Sequence, residues 1–264
     1  MNLEKRRVSF AVEGIRIAGE LYLPHGKEQP SPTLCICHGI PSGAPPDPKD
    51  GGYPLLAEKF CTAGFATLIF SFRGTGASGG NFDIMGWVKD LAGAINYLCS
   101  CPEVDKTSLT LMGFSGGAAV TTYVAAHDHR VLQIILCACP AQFGTLSEKA
   151  GWEFSVDHFR RIGIIRDRDF PSSLDDWMEG FRRITPLQWL AQIAPRPLLL
   201  LQGAEDDVVD VSQVWRLYEE AREPKEMAVI EGAGHRLRLS EMAMDTALKW
   251  LQRNVSLTHR SKRV

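Results

Sequence analysis

The five residues Gly113-Phe114-Ser115-Gly116-Gly117 constrain this chain more than any other stretch. A strand-like run, Ser108 to Met112, precedes them, and small residues suited to a helix, Ala118 and Ala119, follow. The pattern G-x-S-x-G places a serine in a sharp strand-to-helix turn, with its hydroxyl held above the edge of a sheet. Glycines are needed there because two backbone segments pass so closely that a Cβ would collide. Such a turn requires a strand before it and a helix after it, and these two pieces recur along most of the sequence.

Residues 7–24 carry apolar side chains at alternating positions and read as two strands around a turn at Glu13-Gly14. Thr33 to Cys37 is almost continuously apolar, as in a strand covered on both faces, and ends in His38-Gly39-Ile40. The Pro/Gly/Asp-rich stretch from Pro41 to Gly52 leads into a helix expected to carry Leu55, Leu56, Lys59 and Phe60 on one side. Ala66 to Phe72 is another buried strand. The glycine-rich run after it, Arg73 to Gly80, lacks the lysine and spacing of a phosphate-binding loop and reads as a turn. Trp87, Leu91, Ala94, Ile95 and Leu98 mark a helix. Val131 to Cys139, Pro197 to Gly203 and Met227 to Ile230 complete the strands, and a last helix spans about Ser240 to Arg253.

This alternation predicts an α/β fold with a mostly parallel, eight-stranded sheet and helices on both faces. The rhythm breaks between 141 and 192, where no strand-like run occurs but Trp152, Phe154, Phe159, Trp177, Phe181 and Trp189 do. That span is too long for an ordinary connection. It reads as a small helical lid inserted after the sixth strand, on a core formed by 1–140 and 193–264.

Composition narrows the function. A chain of 264 residues with 45% apolar and 23% charged side chains can bury a large core. A net charge of −2 offers no basic face for nucleic acid. No run is long and apolar enough for a membrane span, and the N-terminal stretch has no apolar segment of the signal-peptide kind, so a cytoplasmic location is expected. Six of the seven cysteines form C-x-C pairs at 35/37, 99/101 and 137/139. Two pairs lie in strand-like runs, where i and i+2 share a face, and they read as small core residues rather than metal ligands. No dinucleotide fingerprint appears, so no cofactor is expected and no metal is called for.

A serine hydroxyl is a weak nucleophile near neutral pH and needs an adjacent base. Imidazole suits that role, and a carboxylate must then hold its tautomer. His235 is the best-placed histidine, in the turn Glu231-Gly232-Ala233-Gly234-His235 after the last strand. Glu205, Asp206, Asp207 and Asp210 crowd the turn after Gly203. Asp206 and Asp207 are the candidates for the acid.

The order His38-Gly39, then G-x-S-x-G, then an acid after a late strand, then Gly-x-Gly-His resembles the α/β-hydrolase superfamily over nearly the whole chain, and within it the small lid-bearing serine hydrolases (esterases, acylglycerol lipases and some peptidases). The resemblance implies a catalytic Ser115, Asp206 and His235, the acid falling three residues beyond Gly203. It implies an oxyanion hole from the backbone N–H groups of Gly116 and Ile40. Pro41 follows at once and begins a long, proline-rich loop, a departure from the family pattern. His38 at the oxyanion loop and Trp152, Trp177 and Phe181 of the lid are candidate substrate-binding residues; a structural hydrogen-bonding role is the other reading of His38, and packing of the lid's underside onto the core is the other reading of the aromatics.

The leading expectation is a serine hydrolase that cleaves carboxylic esters of small molecules through an acyl-enzyme. A peptidase or amidase with the same triad is the alternative, with Glu148 or Glu153 of the lid pairing with a substrate amine. A non-catalytic binding protein on the same fold is a third reading, disfavoured by the complete Ser/Asp/His set. Oligomeric state is not legible.

Overall fold

In the computed structural model, which describes residues 3–26, 30–44, 50–143 and 149–261, one eight-stranded sheet carries the chain. The elements in order are β1 (Leu3–Val12), β2 (Ile15–Pro24), β3 (Ser31–Cys37), α1 (Gly52–Thr62), β4 (Ala66–Phe70), α2 (Ile84–Ser100), β5 (Val104–Phe114) and α3 (Gly116–His127). Then come β6 (Val131–Cys137), α4 (Lys149–Arg161), α5 (Leu174–Arg183), α6 (Pro186–Trp189), β7 (Leu198–Gly203), α7 (Val211–Glu220), β8 (Lys225–Ile230) and α8 (Glu241–Ser261). The strand order is β1-β2-β4-β3-β5-β6-β7-β8. β1 and β2 form an antiparallel hairpin around Glu13-Gly14, both at positive φ, β2 runs antiparallel to β4, and every other pairing is parallel.

Alternation along the central strands assigns the two faces. Cys35, Leu111, Ile134, Leu136, Leu198 and Leu200 point into one layer with α2, α3, α7 and the helices between β6 and β7. Leu34, Ile36, Met112, Ile135, Leu199 and Leu201 point into the other, against α1 and α8. Truncating any one of these leucines to alanine should cost about 2–5 kcal/mol.

Two expectations need correction. Leu55 is 60% exposed, because α1 buries Leu56, Ala57, Phe60 and Cys61 instead. Cys35 and Cys37 share a face, but Cys137 and Cys139 lie in opposite layers, because β6 ends at Cys137 and Ala138 takes a φ of 49°.

Between 149 and 192 the chain forms α4, α5 and α6 with a loop from 162 to 173 between α4 and α5, and that loop is stapled to the glycine-rich loop after β4. Arg166 donates to the carbonyls of Ser78 (2.8 Å) and Gly74 (3.2 Å). Asn81 accepts from the N–H groups of Arg166 and Asp167 and donates to the Asp167 carboxylate. The Phe82 N–H bonds Ile164 O, and the Trp177 indole donates to Phe82 O. The loop in turn rests on a buried ion pair. The Arg73 guanidinium bonds the fully buried Asp90 of α2 at 2.8 Å, and the Trp87 indole donates to Arg73 O. Among the described residues no helix is long and apolar enough to cross a membrane.

Burial pushes the Asp90 carboxyl above its ordinary range despite the arginine beside it, so removing its charge from water costs more than the pairing returns. Asp90→Ala should therefore destabilise by about 3–5 kcal/mol, because it leaves the buried Arg73 guanidinium with only the half-exposed Glu13 as a partner, while Arg73→Met with Asp90→Leu should lose much less. Urea unfolding of the single and double variants measures the difference.

Candidate active site

Ser115 sits between β5 and α3 with φ 51° and ψ −124°, a conformation that costs a non-glycine residue about 1–3 kcal/mol unless its surroundings enforce it. The surroundings do so. A Cβ on Gly113 would lie 2.5 Å from Ala118 Cα, and one on Gly117 would collide with the carbonyl oxygen of His38. The Ser115 N–H is fixed on Cys137 O at 2.9 Å. The strained turn leaves the hydroxyl at the carboxyl ends of the parallel strands, where two further turns deliver their side chains.

The turn after β7 carries Asp206 and the turn after β8 carries His235. They are clasped by a hydrogen bond from Glu205 N–H to Ala233 O (2.9 Å), and Gly203 leaves room for that carbonyl. The Ser115 hydroxyl lies 3.1 Å from His235 Nε2, and His235 Nδ1 lies 2.9 Å from Asp206 Oδ2. The Asp206 side chain is fully buried, and its Oδ1 accepts from the N–H groups of Val208 and Val209. Gln202 donates to its Oδ2 at 2.8 Å. With Nδ1–H committed to the carboxylate, Nε2 is left as the acceptor facing Ser115. Asp207 is exposed and takes no part, so of the two acids it is Asp206 that meets the histidine.

Gly116 is the first residue of α3, so its N–H has no acceptor within the helix. Ile40 stands opposite, its nitrogen 3.7 Å from a Cβ built on Gly116. Neither N–H has an acceptor among the described residues. His38 lines the same cleft but is turned to structural use. Its Nδ1 bonds Gly39 O (2.8 Å), and its Nε2 accepts from the Phe72 N–H (3.2 Å), with the Thr75 hydroxyl 3.1 Å away. This ties the loop after β3 to the end of β4. Burial pushes the imidazole below its ordinary value, in keeping with a neutral ring that donates at one nitrogen and accepts at the other.

The cleft around Ser115 has a volume of about 1040 Å³. Its apolar walls include Ile40, Tyr53, Phe114, Phe143, Phe159 and Val209, and His158 reaches it from α4. Among the described residues two carboxylates line it. Asp50 is paired with Arg238, and Asp210 caps α7 through the Ser212 N–H. Trp152, Trp177 and Phe181 do not line the cleft; they pack on one another and on Phe82, which contacts Trp87 and so connects to His38. Glu153 is exposed and outside the cleft, and Glu148 falls outside the described residues. His158, Phe159 and Phe143 escaped sequence reasoning as cleft residues, because nothing local announces how an inserted helix docks. Among the described residues, no cluster of three His, Cys, Asp or Glu side chains is placed to hold a metal ion.

A family model for X-Pro dipeptidyl-peptidase (S15 family) matches residues 13–170, more than half the chain. The chain belongs to the S15 family. Among the relatives of this S15-family hydrolase is the uncharacterized protein PA2218 of Pseudomonas aeruginosa, 25% identical over 290 residues, covering 88% of this chain and 75% of the relative. The α/β hydrolase GrgF from Penicillium sp. sh18 superposes with a TM-score of 0.72 at 22% identity, covering 95% of this chain and 98% of the other. The esterase domain of a Rhodothermus marinus protein gives a TM-score of 0.67 at 22% identity over 96% of this chain and 99% of that domain. These likenesses establish the α/β-hydrolase fold.

The neutral His38 has a consequence for stability. The unfolded chain takes up a proton near the ordinary value of 6.5, whereas the folded chain does so only at lower pH. Wild-type stability should therefore fall as pH drops below about 6.5, until the folded value is reached. His38→Gln should lack that part of the slope. Denaturant titrations of both proteins from pH 7.5 to 5 read the difference.

Proposed function

We propose that this S15-family hydrolase cleaves carboxylic esters through an acyl-enzyme, with Ser115 as nucleophile, His235 as base and then acid, and Asp206 as the orienting carboxylate. The observation that carries the reading is the unbroken hydrogen-bond line from the Ser115 hydroxyl through His235 to Asp206, beside the free N–H groups of Ile40 and Gly116. In this mechanism His235 Nε2 takes the Ser115 proton as Oγ attacks the ester carbonyl. The oxyanion that forms is met by the two N–H groups, which are in place before the charge develops. His235 returns the proton to the departing alcohol, and water then repeats the sequence to release the acid.

The family's name raises the peptidase alternative. A peptide α-ammonium calls for a carboxylate to pair with, and of the two that line the cleft among the described residues Asp50 is paired with Arg238 while Asp210 accepts the Ser212 N–H at the α7 cap. The apolar walls favour an ester with a sizeable apolar group, and the shared fold of the Rhodothermus marinus esterase domain is in keeping with that. Residues 141–192 act on this reading as a lid, and Phe143, His158 and Phe159 of that span line the cleft that holds Ser115.

Ser115→Ala should lower kcat/KM for p-nitrophenyl esters by roughly 10⁴-fold or more and abolish fluorophosphonate labelling, with the melting temperature nearly unchanged. Asp206→Asn should cost roughly 10⁴-fold in kcat and Asp207→Asn little. Faster cleavage of Xaa-Pro naphthylamides than of esters by wild type would decide for the peptidase.

The division of labour among the aromatics is equally testable. Phe159→Ala should shift the preferred acyl length, because it changes the cleft wall. Trp177→Ala should lower stability by about 3–5 kcal/mol and leave the acyl profile in place. Thermal unfolding and an ester series on the same two variants separate the effects.

A further inference from the structure

β7 reads Leu198-Leu199-Leu200-Leu201-Gln202-Gly203, and every one of these residues is buried. A fifth apolar side chain at 202 would suit a strand covered on both faces, so the glutamine calls for a reason. Its amide nitrogen donates twice, to Asp206 Oδ2 and to the Val209 carbonyl, each at 2.8 Å. Its amide oxygen is buried and has no partner among the described residues. Turning the amide would not relieve that oxygen, because it would then face a carboxylate and a carbonyl, both acceptors. The side chain thus tolerates an unpaired buried oxygen, which costs stability, and keeps both N–H groups aimed. A local cost of this kind persists where the arrangement serves a site.

On the reading of Asp206 as the orienting acid, we infer that Gln202 is a positioning residue of the catalytic array. It holds the carboxylate in the plane that meets His235 and shares its negative charge. Asp206 Oδ1 is already occupied by the Val208 and Val209 N–H groups, so Gln202 is the remaining donor on the oxygen that lies 2.9 Å from His235 Nδ1. Its second bond, to Val209 O, fastens the far end of the same turn. The amide therefore sets both the position of the acid and the strength with which the acid attracts an imidazolium.

Other charges near the pair are few. Glu205, Asp207 and Asp210 on the acid's own turn and Arg236 beside His235 are all exposed. Across the cleft Asp50 and Arg238 neutralise one another, His158 of α4 faces the same space, and His38 is kept neutral by burial. The end of β6 brings the thiols of Cys137 and Cys139, which burial also holds neutral, and α3 brings Ser115 and no charge.

The test uses Gln202→Met, which keeps length and bulk but removes both donors, and Gln202→Glu, which donates to Asp206 only while protonated. Three quantities are read on each: the His235 imidazole titration by NMR, the pH profile of kcat/KM with a p-nitrophenyl ester, and the melting temperature. In Gln202→Met the carboxylate loses a donor and attracts the imidazolium more strongly. His235 should then titrate about half to one pH unit higher than in wild type. The acidic limb of kcat/KM should move with it, and the plateau should fall about 10- to 100-fold. Gln202→Glu should come closest to wild-type activity at low pH and fall progressively behind as pH rises and its carboxyl loses the proton.

If His235 titrates as in wild type in both variants, and any loss of activity merely follows the loss of melting temperature, Gln202 is a structural spacer and the inference is overturned. The NMR titration needs no turnover. A wild type that proves inactive on esters would remove the esterase reading, yet the coupling of Gln202 to Asp206 and His235 would still be measured. Should Gln202→Met fail to fold, the pH course of Gln202→Glu decides alone.

Discussion

The approach of α3 to the loop after β3 is the contact on which the site depends. Gly117 meets the carbonyl of His38 with no space for a side chain between them, and Gly113 meets Ala118 in the same way. These contacts hold Ser115 in a conformation that its own backbone disfavours, and they bring Ile40 N beside Gly116. The elevation of Ser115 and the pair of N–H groups without an acceptor among the described residues are two results of one packing constraint. The helix can come so close because its first turn is glycine and alanine and because it is buried from Gly116 through Thr122.

The second requirement is that turns from separate strands agree in height. Parallel pairing of β5, β6, β7 and β8 places every relevant carboxyl-terminal strand end on one edge of the sheet. The bond between Glu205 and Ala233 then fixes the last two turns relative to each other. Asp206 and His235 meet because their turns are joined through the backbone, and the side chains need only short reaches. The acid is buried and saturated with donors, whereas the histidine retains access to the cleft.

Much of this was legible before any coordinates. Ser115 and His235 sit in turns whose glycines are demanded by local geometry, and such geometry is written in short sequence windows. Choosing Asp206 over Asp207 rests on family spacing, and it is the Asp206 carboxylate that lies 2.9 Å from His235 Nδ1. The cleft walls were not legible, because His158 and Phe159 reach the site only through the docking of α4, a long-range event with no local signature. The aromatic character of Trp152, Trp177 and Phe181 suits a substrate pocket and a packed lid equally, and only the docked helices show these rings filling the layer between helices and sheet. Leu55 was misplaced for a smaller reason: near the start of α1, the buried stripe runs one residue further round the helix than the apolar pattern suggests. Gln202 was in plain view as a polar break in a run of leucines, and what it signified required knowing what lay within 3 Å of it.

The staple beneath the inserted helices has a bearing on how such a chain diverges. Arg166 grips the glycine-rich loop through the carbonyl oxygens of Gly74 and Ser78. Carbonyl oxygens belong to the backbone and survive nearly any substitution that leaves its path intact. The insertion is therefore moored to backbone atoms of the loop, which ask for glycine at 74, where a Cβ would meet Ile164 O, while α4 carries His158 into the cleft. Lineages that keep the arginine, the asparagine and the loop's path are free to exchange the cleft wall piecemeal, so this architecture can explore new substrates without renegotiating its attachment.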